Sequence, residues 1–474
     1  MKKTKIIATI GPSSKDPKVL ASLFKAGADV CRLNFSFGSY QEHMKMVKNI
    51  RAMSKKVGKP VAIVQDLQGP KIRVGQLKAP VTVKKNDTLV LTGTTKHVKP
   101  HVLPTTYSSI ANDTEMGKTI LLADGTINLK VVKISKKDRA VHCKVIVGGK
   151  ILTGKGINLP YTKISLPSLT PKDRKDVQFG IKAGVDYIAQ SFVRTAEDVV
   201  KLKRILKKEG ATIPVIAKIE KPEALENISE IVDITDGIMA ARGDLAVEIS
   251  LARVPIAQKE IIALANKKGK ITVIATQMLE SMIENPVPTR AEVSDVANAI
   301  LDGTDAIMLS GETAIGKYPA NTVRVMSKIA EEIEASHIVP KGVKELLDLP
   351  EDDIIRNSVC SAASFLSYLT EEMALVVFSG TGLTVRILSK FRPDTNIYAA
   401  SNEDHLCNRM ALLHNVHPIL LNCSLRNAAK SIEVLKKELL SRKLIKKGDQ
   451  IIILTGGHYK TKWHTDTIKV RTIN

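Results

Sequence analysis

Aromatic residues are scarce. Phe, Trp and Tyr make up 4% of the 474 residues, with a single tryptophan, yet the chain is 44% hydrophobic. Its core must therefore be mostly aliphatic. The five cysteines (Cys31, Cys143, Cys360, Cys407, Cys423) are scattered and never at C-x-x-C spacing. That pattern excludes a disulfide framework and a cysteine-based zinc site, and it points to a reducing compartment. No window approaches the ~20 apolar residues of a membrane-spanning helix. The basic start MKKTKIIATIGPSS has no long apolar stretch behind it. The sequence predicts a cytoplasmic protein with no membrane partner.

Acidic charge is also short, with 48 Asp and Glu against 71 Lys and Arg, for a net charge of +23. Such a balance can serve nucleic acid, an anionic membrane or small anionic substrates. The lysines are spread over expected helix exteriors (KKVGK, KRILKKEG, ANKKGK) and form no single block. No zinc-finger or RRM-like signature gives them a nucleic-acid role. A solvated surface is the expectation, with no nucleic-acid partner.

What is present is a βα rhythm. KIIATI, DVCRLNF and VAIVQDL read as strands separated by amphipathic helices at 16–27 and about 39–57. From about Pro70 to Leu159 the rhythm gives way to short alternating runs broken by Asn-Asp, Asp-Gly and Gly-Gly turns, which predicts a hairpin-rich β insertion. It then resumes with VDYIAQSF, VIAKIE, GIMAARG, TVIATQ and AIMLSGE, each followed by a helix, PEALENISEIV being one of them. Eight apolar strands alternating with amphipathic helices indicate an α/β protein built on a (β/α)8 TIM barrel. The expected boundaries are 1–69 with 161–338 for the catalytic barrel and 70–160 for an inserted β-barrel lid. Residues 339–474 form a C-terminal α/β domain for regulation or assembly.

Chemistry in such barrels gathers at the carboxyl ends of the strands. Those ends carry Arg32, Asn34 and Ser36; Asp66; Lys218 and Glu220; Arg242 and Asp244; Thr276 and Gln277; Ser310 and Glu312. Polar groups at six of eight strand ends are hard to explain as packing. Glu220 and Asp244 come from adjacent strands and could hold one hard divalent cation; the alternative is that Lys218 and Arg242 satisfy both carboxylates. Arg32 offers a planar fork for phosphate or an ion pair with Asp66. Gly243 and Asp244 are read as a turn whose backbone N–H groups suit a carboxylate or phosphate. Thr276 either meets substrate or bonds to backbone.

Taken together, TKIIATIGPSS, RLNFSFGS, DLQGPKIRVG, GKGINLP, AKIE, ARGDLAVE, ATQMLESM and PTRAEVSDVANAILDGTDAIMLSGETAIGKYP resemble the pyruvate kinase family. The resemblance covers the barrel and insertion and continues more weakly through the C-terminal region. It implies phosphoryl transfer from phosphoenolpyruvate to ADP, giving pyruvate and ATP. By the same resemblance Arg32 binds the transferring phosphoryl group and Lys218 stabilises its charge. Glu220 and Asp244 hold Mg²⁺, while a second Mg²⁺ arrives with the nucleotide. Gly243, Asp244 and Thr276 position the substrate carboxylate. Asn34, Arg73 and Lys155 match nucleotide contacts, and a water relay through Thr276, Ser310 or Glu312 protonates the enol.

Asn34, Ser36 and Asp66 match the family's K⁺ ligands, but Lys71 stands in GPKIR where many relatives have the glutamate of GPEIR. That exchange implies independence from K⁺, since a tethered ammonium supplies the same charge and repels the ion. Phe37 replaces a histidine usual near the nucleotide. The resemblance also implies a cytoplasmic homotetramer and an allosteric sugar-phosphate or nucleotide effector near 378–386 and 455–467, where Lys460, Lys462 and Trp463 would suit a phosphate. A rival reading, a carbon–carbon lyase barrel with a similar metal pair, lacks the β insertion and its Arg73 and Lys155.

Overall fold

The computed structural model describes residues 2–95, 101–336, 346–369, 374–425, 428–456, 458–459, 462–463 and 465–473. Eight strands close into one barrel: Lys5–Thr9, Val30–Asn34, Ala62–Asp66, Tyr187–Gln190, Val215–Ile219, Gly237–Ala241, Ile271–Ala275 and Ala306–Leu309. All eight pairings are parallel, and the first strand meets the last through Lys5 opposite Ala306. Six of the eight strands are buried at every residue except the partly exposed Arg32 and Asn34 of the second, as expected where helices cover the outside and side chains fill the inside. The remaining two, the fourth and eighth, are buried throughout as well.

The helices begin where the sequence supplies caps. Asp16 accepts from the Lys18 backbone N–H, and Ser39 with Glu42 forms a reciprocal capping box. Thr170 with Asp173 and Thr289 with Glu292 repeat that box. Gly58 ends the second helix in the left-handed conformation, at φ 72°.

Three strand ends differ from the sequence reading. GIMAARG is a strand only to Ala241, and Arg242–Glu248 is helical, so Asp244 sits in a first helical turn and Arg242 and Asp244 do not share a strand face. The seventh strand stops at Ala275, leaving Thr276 and Gln277 beyond it at φ 72° and 53°. The eighth stops at Leu309 and passes through Ser310 into the short helix Gly311–Ala314. The expected single helix PEALENISEIV is two, Pro222–Glu226 and Ile228–Ile234, broken at Asn227. There the Asn227 side chain bonds the carbonyls of Arg194 and Glu223, a local competition typical of asparagine.

The insertion is a six-stranded sheet, mostly antiparallel, beside the two-stranded ribbon Val81–Val83 with Gly149–Ile151. Among its described residues it also holds one short helix, Ile110–Asp113. Its edges, Ile157–Asn158 and Val102–Pro104, are joined, among the described residues, through Arg73 and Val74, which bridge Gly156 and Thr105 respectively. Single bridges rather than a continuous ladder stand at these edges, whose strands are two and three residues long.

The C-terminal unit is a five-stranded sheet in the order Val416–Leu420, Ile397–Ser401, Ala374–Phe378, Gln450–Thr455, Thr467–Thr472, the last antiparallel. The expected start of this domain, at 339, lies outside the described residues. Apolar side chains of the barrel interior form one cluster with this domain's core. A buried ion network reinforces the contact. Asp305, which precedes the eighth strand, takes Lys390 and Arg392 (2.9 Å), and Lys390 also reaches Asn266 at 2.8 Å. Burial alone would raise the Asp305 carboxyl, but the two cations hold it below its ordinary value. Among the described residues no helix is long and apolar enough to cross a membrane.

Replacing Asp305 with Asn leaves Lys390 and Arg392 buried without a counter-ion, a class of change that costs about 3–5 kcal/mol. The expected result is a clearly lowered unfolding midpoint near neutral pH. The difference from wild type should shrink as pH falls through the carboxylate range, since protonating Asp305 removes the same charge. A variant as stable as wild type at neutral pH contradicts this role.

Candidate active site

Alternating charges line the carboxyl end of the barrel. Asp66, the last residue of the third strand, receives the Arg32 Nε at 2.6 Å on one oxygen and the Lys218 Nζ at 3.2 Å on the other. Arg32 spends a second nitrogen on the Thr9 hydroxyl at 3.0 Å, leaving its other terminal nitrogen without a partner among the described residues. Lys218 Nζ also reaches the Ser191 hydroxyl at 2.7 Å and Glu220 at 2.8 Å. The other Glu220 oxygen accepts the Phe192 backbone N–H at 2.8 Å. Lys71, from the start of the insertion, lies 3.1 Å from Asp244.

Burial would discharge the Lys218 ammonium, but Asp66 and Glu220 outweigh it and raise its pKa above the ordinary lysine value. Burial would likewise raise Asp66, yet Lys218 and Arg32 hold it below the usual carboxylate range. Glu220 goes the other way. Burial raises it, Lys218 only partly offsets that, and the nearby Asp244 charge raises it further. Glu220 and Asp244, two carboxylates whose charges oppose each other, fit a divalent cation, and Asp244 keeps one oxygen without a hydrogen-bond partner among the described residues. Mg²⁺ commonly takes one or two protein carboxylates and completes its shell with substrate oxygens and water. Among the described residues there is no group of three or more His, Cys, Asp or Glu that would make a cage of protein ligands alone.

The sequence alternatives divide. Lys218 does satisfy Glu220, but Arg242 turns away from both carboxylates. It pairs with Asp295 at 2.6 Å and donates to the Thr276 carbonyl at 2.9 Å. This follows from the helical turn at Arg242, which carries its side chain off the strand face. Arg32 does form the ion pair with Asp66. Thr276 is bonded to backbone, accepting from Gly243 N–H at 2.7 Å and donating to the Ala275 carbonyl at 2.5 Å. A positive φ at a β-branched residue is costly, about 1–3 kcal/mol, and such residues cluster at functional sites.

Asn34 Oδ1 accepts the Ser36 backbone N–H at 3.0 Å. Of the three K⁺-ligand matches, Asp66 is thus taken by two cations and Asn34 by its own turn. Arg73 donates to the Gly154 carbonyl at 2.9 Å, and Val74 N–H donates to the carbonyl of the exposed Lys155 at 2.8 Å. Two of the three nucleotide candidates, Arg73 and Lys155, therefore meet at the root of the insertion.

Beside this cluster opens a cavity of about 1080 Å³, lined among others by Arg32, Asn34, Phe37, His43, Thr276 and Ser310. Phe37 is 68% exposed there. The buried Ser310 hydroxyl has no partner among the described residues. Glu312 is fully buried and accepts from Ser310 N–H at 2.7 Å and Leu279 N–H at 3.1 Å. Burial raises its pKa above the ordinary carboxylate value.

Ser191 and Thr9 escaped the sequence reading. Both stand at strand ends, the fourth and the first, so the rule that found the others applies to them. A third feature had no signal in the sequence. Lys221, next to Glu220, is buried and paired at 2.7 Å with Glu248, the last residue of the helix bearing Asp244. Asn158 of the insertion joins the same carboxylate at 2.8 Å.

In the C-terminal unit the two expected effector loops meet, the Thr384 and Thr465 hydroxyls lying 2.7 Å apart. Ser379, Thr381, Thr455 and Gly456 line a small space beside them. Lys460 lies outside the described residues, as do the side chains of Lys462 and Trp463.

Comparison with known proteins agrees over the whole chain. Residues 1–323 match the family pattern described as pyruvate kinase, barrel domain, and residues 357–471 that described as pyruvate kinase, alpha/beta domain. The chain is 40% identical over 475 residues to pyruvate kinase 2 of Synechocystis sp., covering all of this chain and 79% of that protein. It is 40% identical over 479 residues to the pyruvate kinase of Staphylococcus saprophyticus, covering all of this chain and 81% of the relative. With the pyruvate kinase of Staphylococcus aureus the identity is 38% over 478 residues, with the same coverage.

Replacing Lys218 with Met strands Asp66 and Glu220 with one close cation fewer. At low pH both carboxyls are neutral while the wild type still buries the Lys218 ammonium, so there the variant should be at least as stable as wild type. Its stability deficit should grow as pH rises through about 4 towards neutral, as the two buried acids are forced to ionise or to bind protons. Unfolding midpoints measured across that range check this, and a deficit independent of pH contradicts it.

Proposed function

The chain belongs to the pyruvate kinase family, and on that premise we propose how the mouth of its barrel carries out the reaction. The enzyme is a phosphotransferase that moves the phosphoryl group of phosphoenolpyruvate to ADP, giving pyruvate and ATP. The P–O bond to the enol oxygen breaks, a bond to a β-phosphate oxygen of ADP forms, and the enolate left behind takes a proton at carbon. Phosphoryl transfer asks a protein mainly for positioning and for charge where it develops. The observation that carries the reading is the single convergence of Lys218, Arg32, Asp66 and Glu220 within hydrogen-bond distances.

Arg32 is oriented by Asp66 and Thr9, and its remaining nitrogen binds the phosphoryl group. Lys218 has all three protons engaged, and its contact to Asp66, at 3.2 Å, is the longest. A transferring phosphoryl oxygen takes over that proton and meets an ammonium that is charged throughout the physiological pH range. Glu220 and Asp244 would hold Mg²⁺, which would supply Lewis-acid neutralisation of phosphoryl charge; a second Mg²⁺ is expected with the nucleotide. Gly243, Asp244 and Thr276 hold the substrate carboxylate once the Thr276 hydroxyl turns from the Ala275 carbonyl. Arg73, Lys155 and Asn34 face the nucleotide, with Phe37 in place of a polar contact. The Ser310 hydroxyl, without a partner among the described residues, stands next to Glu312 and lines the same cavity as Thr276, so it is suited to relay the proton to the enolate.

Lys71 places a fixed positive charge 3.1 Å from Asp244, which supports catalysis without K⁺ even though Asn34, Ser36 and Asp66 match K⁺ ligands. The remaining proposals are the unit boundaries at 69/70, 160/161 and 338/339, a cytoplasmic homotetramer, and a phosphorylated effector at the loops 378–386 and 455–467.

Two measurements test the site. Lys218→Ala should still bind phosphoenolpyruvate but produce ATP at least ~100-fold more slowly, the scale of losing one preorganised stabiliser; near-normal turnover would refute the role. Activity should be nearly equal in potassium and in tetramethylammonium salts, and a large activation by K⁺ would overturn the reading of Lys71.

A further inference from the structure

Glu220 and Asp244 stand on very different supports. Glu220 follows directly on the fifth barrel strand, Val215–Ile219, and is buried. Asp244 sits on Arg242–Glu248, a helix of seven residues with no side-chain cap at its start. Isolated helices shorter than ~12 residues are marginal in water, so the position of Asp244 depends on what pins this helix from outside. Its leading end is tied to the residues after the seventh strand. Arg242 donates to the Thr276 carbonyl at 2.9 Å, and the Gly243 N–H to the Thr276 hydroxyl at 2.7 Å. Asp244 itself pairs with Lys71 at 3.1 Å, but the two side chains are 28% and 25% exposed, and ion pairs open to water hold little.

The trailing end is tied by Lys221. Its ammonium meets a Glu248 oxygen at 2.7 Å, and both side chains are buried. Asn158 donates to the same oxygen at 2.8 Å, and the other Glu248 oxygen is buried with no hydrogen-bond partner among the described residues. Among those residues Lys221 is the one cation paired with this carboxylate. Glu248 and Asp244 are four residues apart and share one face of the helix. Lys221 directly follows Glu220 in the chain. The ion pair therefore joins the backbone that carries one carboxylate to the helix that carries the other.

We propose, on the premise that Glu220 and Asp244 hold Mg²⁺, that Lys221 is a positioning residue for that ion, its bond to Glu248 fixing the separation of the two carboxylates. Exchanging a buried ion pair for apolar side chains is often neutral for stability, so what the charges add here is a defined length and direction. Outer partners that orient metal-binding groups are commonly worth ~10–100-fold in metal affinity. Charge alone predicts the opposite sign. Lys221 is a cation close to the site of a dication, and if it did nothing but repel, its removal would strengthen metal binding. Positioning predicts that its removal weakens binding.

The test titrates Mn²⁺, a paramagnetic substitute for Mg²⁺, into the full-length chain without nucleotide or phosphoenolpyruvate, reading the free ion by electron paramagnetic resonance. Unfolding midpoints are measured alongside. Lys221→Met should bind Mn²⁺ at least ~10-fold more weakly than wild type, and Lys221→Arg, which keeps the ion pair, should bind it as wild type does. Lys221→Met should also melt lower, because it leaves Glu248 buried without a counter-ion. The double variant Lys221→Met with Glu248→Met removes both charges and should regain the lost midpoint but not the lost affinity. If the single variant fails to fold, the double variant gives the answer by itself. Mn²⁺ binding by Lys221→Met as tight as wild type or tighter overturns the proposal. So does Lys221→Arg binding as weakly as Lys221→Met, or an affinity that returns with the midpoint in the double variant. Glu220→Gln separates this proposal from its premise. Wild-type affinity in Glu220→Gln removes the metal reading and the role of Lys221 with it; weakened binding there beside unweakened binding in Lys221→Met removes the role of Lys221 and keeps the metal pair.

Discussion

A buried ammonium has three protons to place, and the barrel is arranged around placing those of Lys218. Each acceptor comes from a different strand end: Asp66 from the third, Ser191 from just beyond the fourth, and Glu220 from the same strand as the lysine. None of these groups would be stable in that position alone. Burial pushes the lysine towards its neutral form and the carboxyls towards theirs, and only mutual contact reverses this for Lys218 and Asp66. The arrangement requires the third, fourth and fifth strands to be neighbours in register, as barrel closure makes them. Fold and catalytic charge are therefore one constraint seen at two scales.

The same cluster is tied outward. Lys221 follows Glu220 and is locked to Glu248, which ends the helix begun beside Asp244, while Asn158 draws the insertion to the same carboxylate. The Glu220 and Asp244 carboxylates and the root of the insertion thus share one buried anchor. Lys71 crosses the same junction to reach Asp244. The seating of the insertion on the barrel and the geometry of the Glu220–Asp244 pair are tied together through these few contacts.

Beneath the barrel the design differs. Asp305 neutralises Lys390 and Arg392 in a contact that is complete within the chain. At the same interface the Nε atoms of Arg386 and Arg409 are buried without a hydrogen-bond acceptor among the described residues.

Much of this was legible in the residues alone. Eight apolar segments, a hairpin-rich interruption after the third and a polar crown at the strand ends follow from periodicity and turn chemistry, which are local. So does the side of a strand on which Lys218 and Glu220 lie. Spacing along one segment cannot say which group of another segment a side chain will reach. Arg242 looked like a partner for the acids, but one turn of helix beginning at its own position sends it to Asp295. Lys71, Ser191 and Lys221 found their partners across strands and domains, and Thr276 took a strained backbone that no propensity favours. Those choices were made by closing the cylinder and seating the two outer domains on it, because a charge taken out of water settles on whatever opposite charge the packed chain brings within reach.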